Sequence, residues 1–182
     1  MKSILLCLCL CWLVGHQSLA QVEKTNPKWA AAIGSSLSWS GIDLSVRFVW
    51  CESRQNVFYI GPRLLLTNSY LPLEGPWGLV VGYRRNVLHS KRLTSFVQAD
   101  YKAVFSAPYD PANLGGDFLN SIHEWHVSYG LEYSLGRHWS VGSTFGGGFY
   151  LERLTDLLEQ KQNSFTGYSS QIQLFVHYFF GK

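Results

Sequence analysis

Glu124, His126, Ser128 and Glu132 stand at even spacings within the stretch 122 to 135, so an extended chain presents all four on one side. A hydroxyl nucleophile, an imidazole base and a carboxylate to orient it are the parts of a hydrolase. The same residues on an interior face are equally ordinary hydrogen-bonding groups, and the residues alone leave both readings open. Metal chemistry is not supported: His123 and His126 are three apart, which on a strand sends them to opposite faces, and no Cys or carboxylate cluster has ligand spacing. Gly146-Gly147-Gly148 lacks the following helix and Lys of a phosphate loop, so close packing or a bend explains it better. No cofactor is expected.

The elements that must position these residues are read from a period of two. In 42 to 50, Ile42, Leu44, Val46, Phe48 and Trp50 share one face and Asp43, Ser45, Arg47 and Val49 the other. The same alternation runs through 122 to 135, 138 to 151 and 168 to 180. In the second of these, Trp139, Val141, Phe145 and Phe149 oppose Ser140, Gly142, Thr144, Gly146 and Gly148. In the third, Ile172, Leu174 and Val176 oppose Ser169, Gln171, Gln173 and His177. Weaker alternation at 29 to 38, 57 to 67, 77 to 85 and 92 to 105 brings the expected strands to eight. Pro62 lacks a ladder donor and predicts a bulge or strand end. Runs of about 9 to 14 residues exceed the usual strand of about five or six, and a tilted strand of about 9 to 11 crosses a bilayer.

Composition supports that reading. Of the 182 residues, 15% are charged and 15% aromatic, against an ordinary 47% hydrophobic. A disordered chain would need the opposite balance. A net charge of +3 is too small for a nucleic-acid binder that works by phosphate neutralisation. Residues 1 to 20 have the form of a signal peptide: a basic start at Lys2, an apolar run from Ile4 to Val14 and small residues at Ser18-Leu19-Ala20. A short segment, 21 to 28, then precedes one domain over 29 to 182. Cys7, Cys9 and Cys11 fall in the leader, so the mature chain would keep Cys51 alone and form no internal disulfide. No later window is apolar enough for a membrane helix, which leaves β-structure as the way to span.

The expected connections alternate in length, with short turns at 51 to 56, 86 to 91 and 136 to 137 and long loops at 68 to 76, 106 to 121 and 152 to 167. The connection near Trp39 to Gly41 breaks this rule. Leu151, Leu154, Leu157 and Leu158 have helical spacing and predict a short helix or ordered turn in the last loop. The long loops are acidic and the short turns basic. If the aromatic and aliphatic faces meet lipid, the interior receives Asp43, Arg47, Arg63, Arg84, Asp100, Lys102, Glu124 and Glu132. Four positive and four negative side chains in a lumen just wide enough for side chains predict cross-lumen ion pairs and a plugged interior. Trp29, Trp39, Trp50, Trp77, Trp125 and Trp139, near strand ends, read as interfacial girdle aromatics.

The leader, the aromatic-rich alternating strands and the ending His177-Tyr178-Phe179-Phe180 resemble the small eight-stranded outer-membrane β-barrels of the OmpA/OmpX-like group. The resemblance implies an all-β, antiparallel, up-and-down transmembrane barrel in a bacterial outer membrane, with the terminal strand read by the barrel-insertion machinery. Here Gly181 and Lys182 follow the last Phe, a departure from the commonest ending. Lipid A-deacylating outer-membrane barrels also use a His-x-Ser pair, but their Asn directly after the Ser is replaced here by Tyr129. The expected function is a non-enzymatic structural, adhesive or protective role, with outer-membrane lipid as surroundings and any surface ligand bound by the outer loops. The alternatives are a lipid A-modifying hydrolase using His126 and Ser128, and a soluble lipocalin-like binder of an apolar ligand.

Overall fold

A computed structural model describes residues 28–67, 77–105, 118–159 and 161–180. Residues 1 to 20, expected as a signal peptide, the segment 21 to 27, the loop 68 to 76 and most of the loop 106 to 121 lie outside the described residues. Eight strands follow one another as β1 (Lys28–Ser38), β2 (Gly41–Cys51), β3 (Asn56–Thr67), β4 (Trp77–His89), β5 (Leu93–Phe105), β6 (Phe118–Ser134), β7 (Trp139–Asp156) and β8 (Gln162–Phe180). Each pairs antiparallel with its sequence neighbour, and β8 closes on β1. Closure removes every sheet edge along the paired length, which is how an all-β wall satisfies its backbone without water.

The stagger of the barrel follows from the register. Stepping from Ala30 through Val49, Tyr59, Gly82, Asp100, His126 and Gly148 leads to Ser169, whereas Ala30 itself pairs with Phe179, ten residues further on. Such a stagger tilts the strands and brings residues of non-adjacent strands to one level in the lumen. The faces follow the sequence alternation. Ile42, Leu44, Val46, Phe48 and Trp50 point outward and are exposed, as are Ile172, Leu174 and Val176, while their polar neighbours are buried inside.

Inward aromatic rings are accommodated by a recurring pair. Tyr59 faces Gly82, Phe96 faces Gly130, Phe175 faces Gly142 and Tyr150 faces Gly167 across adjacent strands. A methyl group on any of these glycines would fall within the opposing ring. Gly130→Ala should therefore cost about 1–3 kcal/mol by overpacking, read as a lower urea midpoint for the refolded barrel.

Several expected boundaries change. The loop 152 to 167 is mostly strand: β7 continues to Asp156 and β8 begins at Gln162. The Leu151, Leu154, Leu157, Leu158 spacing marks no helix, since Leu151 and Leu154 are on β7, and 157–159 form a turn. Asp156 Oδ1 accepts the N–H groups of Leu158 and Glu159 there, which favours a turn over a helix. The turn 86 to 91 shortens because β4 runs to His89, with a register shift between Asn86 and Leu88. Pro62 stays within β3, paired with Leu79. Its missing donor leaves a gap in the β2–β3 ladder opposite Val46 and Arg47 without changing register.

Candidate functional site

The described lumen is built from inward alternate positions and contains two polar networks. At the level nearer the loops, Asp43 on β2 accepts from Arg63 Nε (2.8 Å) and from Ser36 Oγ (2.6 Å), and pairs with Arg63 Nη2 at 2.7 Å and Lys102 Nζ at 3.7 Å. Lys102 Nζ also donates to Ser36 Oγ at 2.6 Å. Arg63 Nη1 lies 3.2 Å from Glu124 Oε2, so one guanidinium on β3 joins carboxylates on β2 and β6. All three side chains are wholly buried.

The β1–β2 turn folds over this network as a cap. Ser40 Oγ donates to Glu124 Oε2 (2.9 Å), Ser38 Oγ does so at 3.1 Å, and Arg63 Nη2 donates to Ser40 Oγ at 2.6 Å. Gly41, at φ 116°, takes the left-handed conformation that turns the chain back into β2. Trp39, expected in the outer girdle, instead stacks on Tyr150 with ring centroids 4.5 Å apart, in the space left by Gly167. The Trp39 backbone N–H donates to Ser169 Oγ at 3.3 Å.

Nearer the chain termini, Glu132 is held by Arg84, by Ser140 Oγ and by His177 Nδ1 at 2.8 Å. Arg84 Nε donates to Asn86 Oδ1 (2.8 Å), and its guanidinium lies over the Phe96 ring at 3.8 Å. Below it a vestibule of about 410 Å³, lined by Val57, Thr94, His89 and Phe179 among others, opens at the terminus end.

Between the two networks, Asp100 Oδ2 accepts from Gln98 Nε2 (2.8 Å) and Gln171 Nε2 (3.1 Å). Arg47 lies over Tyr59 at 5.0 Å, its Nε donates to Ser45 Oγ at 3.1 Å, and its guanidinium faces the Gln173 side-chain amide. The eight lumen charges named from the sequence thus all face inward, most in two separate networks, while Asp100 and Arg47 lie between them, Asp100 Oδ2 bonded to glutamine amides and its Oδ1 buried with no hydrogen-bond partner. Sequence reasoning missed the serines of the cap, because Ser38 and Ser40 flank a turn and carry no periodic signal. It also missed the inward apolar residues Ala30, Ala32, Val57, Tyr59 and Val80, which cluster with the inward Val49 at one level, and Leu65, Val104 and Ile122 at another.

His126 and Ser128 are both inward and about 2% exposed. They do not form a nucleophile–base contact. His126 Nε2 hydrogen-bonds to Ser169 Oγ (2.9 Å), while His126 Nδ1 and Ser128 Oγ have no hydrogen-bond partner in the protein. Among the described residues no group of three or more His, Cys, Asp or Glu could hold a metal.

The outer surface is an apolar band bounded by aromatic rows. At the terminus end, Trp29 stacks on Phe48 (4.7 Å), Trp50 on Phe58 (5.6 Å), and Trp139 meets Tyr178 (4.9 Å). At the loop end, Trp77 meets Phe105 (5.9 Å), Tyr101 meets Trp125 (5.4 Å) and Trp125 stacks on Phe149 (4.9 Å). Phe149 and Trp139 lie in opposite rows on β7, about 33 Å apart along the strand and about 25 Å along the axis of a barrel with strands tilted 35–45°.

No protein-family model matches the chain, and no curated protein matches it by sequence. Among solved structures, it is similar to the N-terminal β-barrel domain of Pseudomonas aeruginosa OprF, at 7% identity and TM-score 0.58, over 88% of this chain and 100% of that one. A major outer membrane protein from Thermus thermophilus is similar at 12% identity and TM-score 0.50, over 86% of this chain and 100% of that one. What is shared at these identities is the fold, a closed eight-stranded antiparallel barrel.

Proposed function

We propose that this chain, which has the fold of the small outer-membrane barrels, is a bacterial outer-membrane protein with a plugged lumen and a structural, adhesive or protective role. It would be exported by a cleaved leader and inserted by the barrel-insertion machinery. One observation carries the reading: an outward apolar band about 25 Å tall between two aromatic rows encloses an interior in which charge is paired across the lumen. That height is what a barrel presents to hydrocarbon. The ion pairs and the β1–β2 cap leave no reason for a general diffusion pore, so any specificity would belong to the loops.

The two other classes fit less well. A lipocalin-like binder turns its apolar alternate residues inward, whereas here they face outward. A lipid A hydrolase needs its nucleophile open to an acyl chain from outside, whereas Ser128 is buried in the lumen without a base in contact.

Fractionation should recover the protein in the outer membrane, and a planar bilayer containing the refolded barrel should show no steady single-channel conductance. Recovery in the soluble periplasm would remove the membrane reading, and a stable conductance would remove the plug. The lipid A acyl pattern should be the same by mass with wild type, His126→Ala and Ser128→Ala. A pattern that changes with wild type and is lost in either variant would restore the enzyme.

A further inference from the structure

Above the aromatic row on β6, β7 and β8, the outward face changes character within four residues. Phe149 stands between Trp125 and Tyr168, Leu151 between His123 and Thr166, and Arg153 between Ser121 and Ser164. Arg153 thus lies about 13 Å beyond Phe149 along the strand, or about 10 Å along the barrel axis. It is exposed, and no carboxylate among the described residues lies within ion-pair distance of it. The adjacent Glu152 accepts from Asn120 Nδ2 (2.8 Å) on the opposite face, and Asp156 caps its own turn. His123 is close enough to feel the charge of Arg153 and is bonded to Tyr101 OH at 2.7 Å. Below the aromatic row, Gly147 stands between Val127 and Ser170, where an added methyl group would meet nothing nearer than 3.6 Å. The wall is therefore dented on the apolar side of the row and cationic on the polar side.

We propose that this face binds a phosphorylated lipid. Arg153 supplies the cation for the phosphate, and Ser121, Ser164 and Thr166 supply hydroxyl donors. The Trp125–Phe149–Tyr168 row and the dent at Gly147 seat the first part of an acyl chain. The occupant is an amphiphile because the cation is continuous with the lipid-facing band, and it is anionic because, among the described residues, the unpaired charge on this face is positive. The inference rests on the membrane reading above.

The test uses the full mature chain refolded into phosphatidylcholine nanodiscs containing either diphosphoryl lipid A or its dephosphorylated form, with protein-bound lipid read by native mass spectrometry. Wild type should retain the diphosphoryl form in preference. A single basic residue near an anionic surface contributes about 1 kcal/mol, so Arg153→Gln should lower that retention about fivefold. Arg153→Lys should keep most of it, and Arg85→Gln, an exposed arginine at the other end of the barrel, should leave it unchanged. Gly147→Leu, which fills the dent, should weaken retention of both lipid forms. Equal retention by Arg153→Gln and wild type, or no preference between the two lipid forms, would overturn the site. Failure of the wild-type chain to enter the nanodiscs would overturn the membrane reading instead, and the site with it.

Discussion

Arg63→Ala should destabilise the barrel by about 3–5 kcal/mol, measured by urea unfolding of the refolded protein with tryptophan fluorescence. Arg63 is in ion-pair contact with Asp43 and Glu124, and all three side chains are wholly buried. Removing the guanidinium leaves Glu124 with hydroxyl and amide donors only, and Asp43 with Lys102 at 3.7 Å. The penalty is that of two carboxylates held away from water, which exceeds what the ion pairs themselves contribute to stability. The quadruple variant Asp43→Asn, Arg63→Met, Lys102→Met, Glu124→Gln, which leaves no buried charge of this network unpaired, should therefore recover most of the loss. A loss below about 1 kcal/mol for Arg63→Ala would mean that water reaches this level of the lumen.

Glu132→Ala should cost a similar amount, about 3–5 kcal/mol, by the same assay. The carboxylate gathers Arg84, His177 and Ser140 from three different strands, and Arg84 would be left buried against Phe96. The two networks share no residue, so the double variant Arg63→Ala, Glu132→Ala should lose the sum of the single losses to within about 0.5 kcal/mol. A double loss well short of the sum would show that Arg47, Gln173 and Asp100 couple the two levels into one network.

The alternation of 42 to 50 and 168 to 180 makes the strand faces legible, because lipid and lumen impose different chemistry on successive residues. It carries no information about which lumen charges meet. Arg63 reaches Glu124 and Lys102 reaches Asp43 only because the ten-residue stagger brings β2, β3, β5 and β6 to one level, a property of closure rather than of any one strand. The loop-end halves of β7 and β8 are illegible for a different reason. From Gln162 to Thr166 every residue is exposed, so no difference between faces marks the strand. Trp39 reads as a girdle residue because tryptophans near strand ends usually belong there. Its inward stack on Tyr150 depends on Gly167, more than a hundred residues away.

The most direct test of the central claim, an apolar outer wall around a closed polar interior, is nitroxide accessibility along β8. Single cysteines at 171 to 176, in a Cys51→Ser background, would be labelled in the barrel reconstituted in lipid bilayers. Labels at Ile172, Leu174 and Val176 should collide with oxygen dissolved in lipid, while those at Gln171, Gln173 and Phe175 should be shielded both from oxygen and from a water-soluble nickel chelate. Nickel reaching 171 and 173 would reveal an open aqueous lumen, and oxygen reaching the odd-numbered positions would invert the faces. Either result would contradict the account.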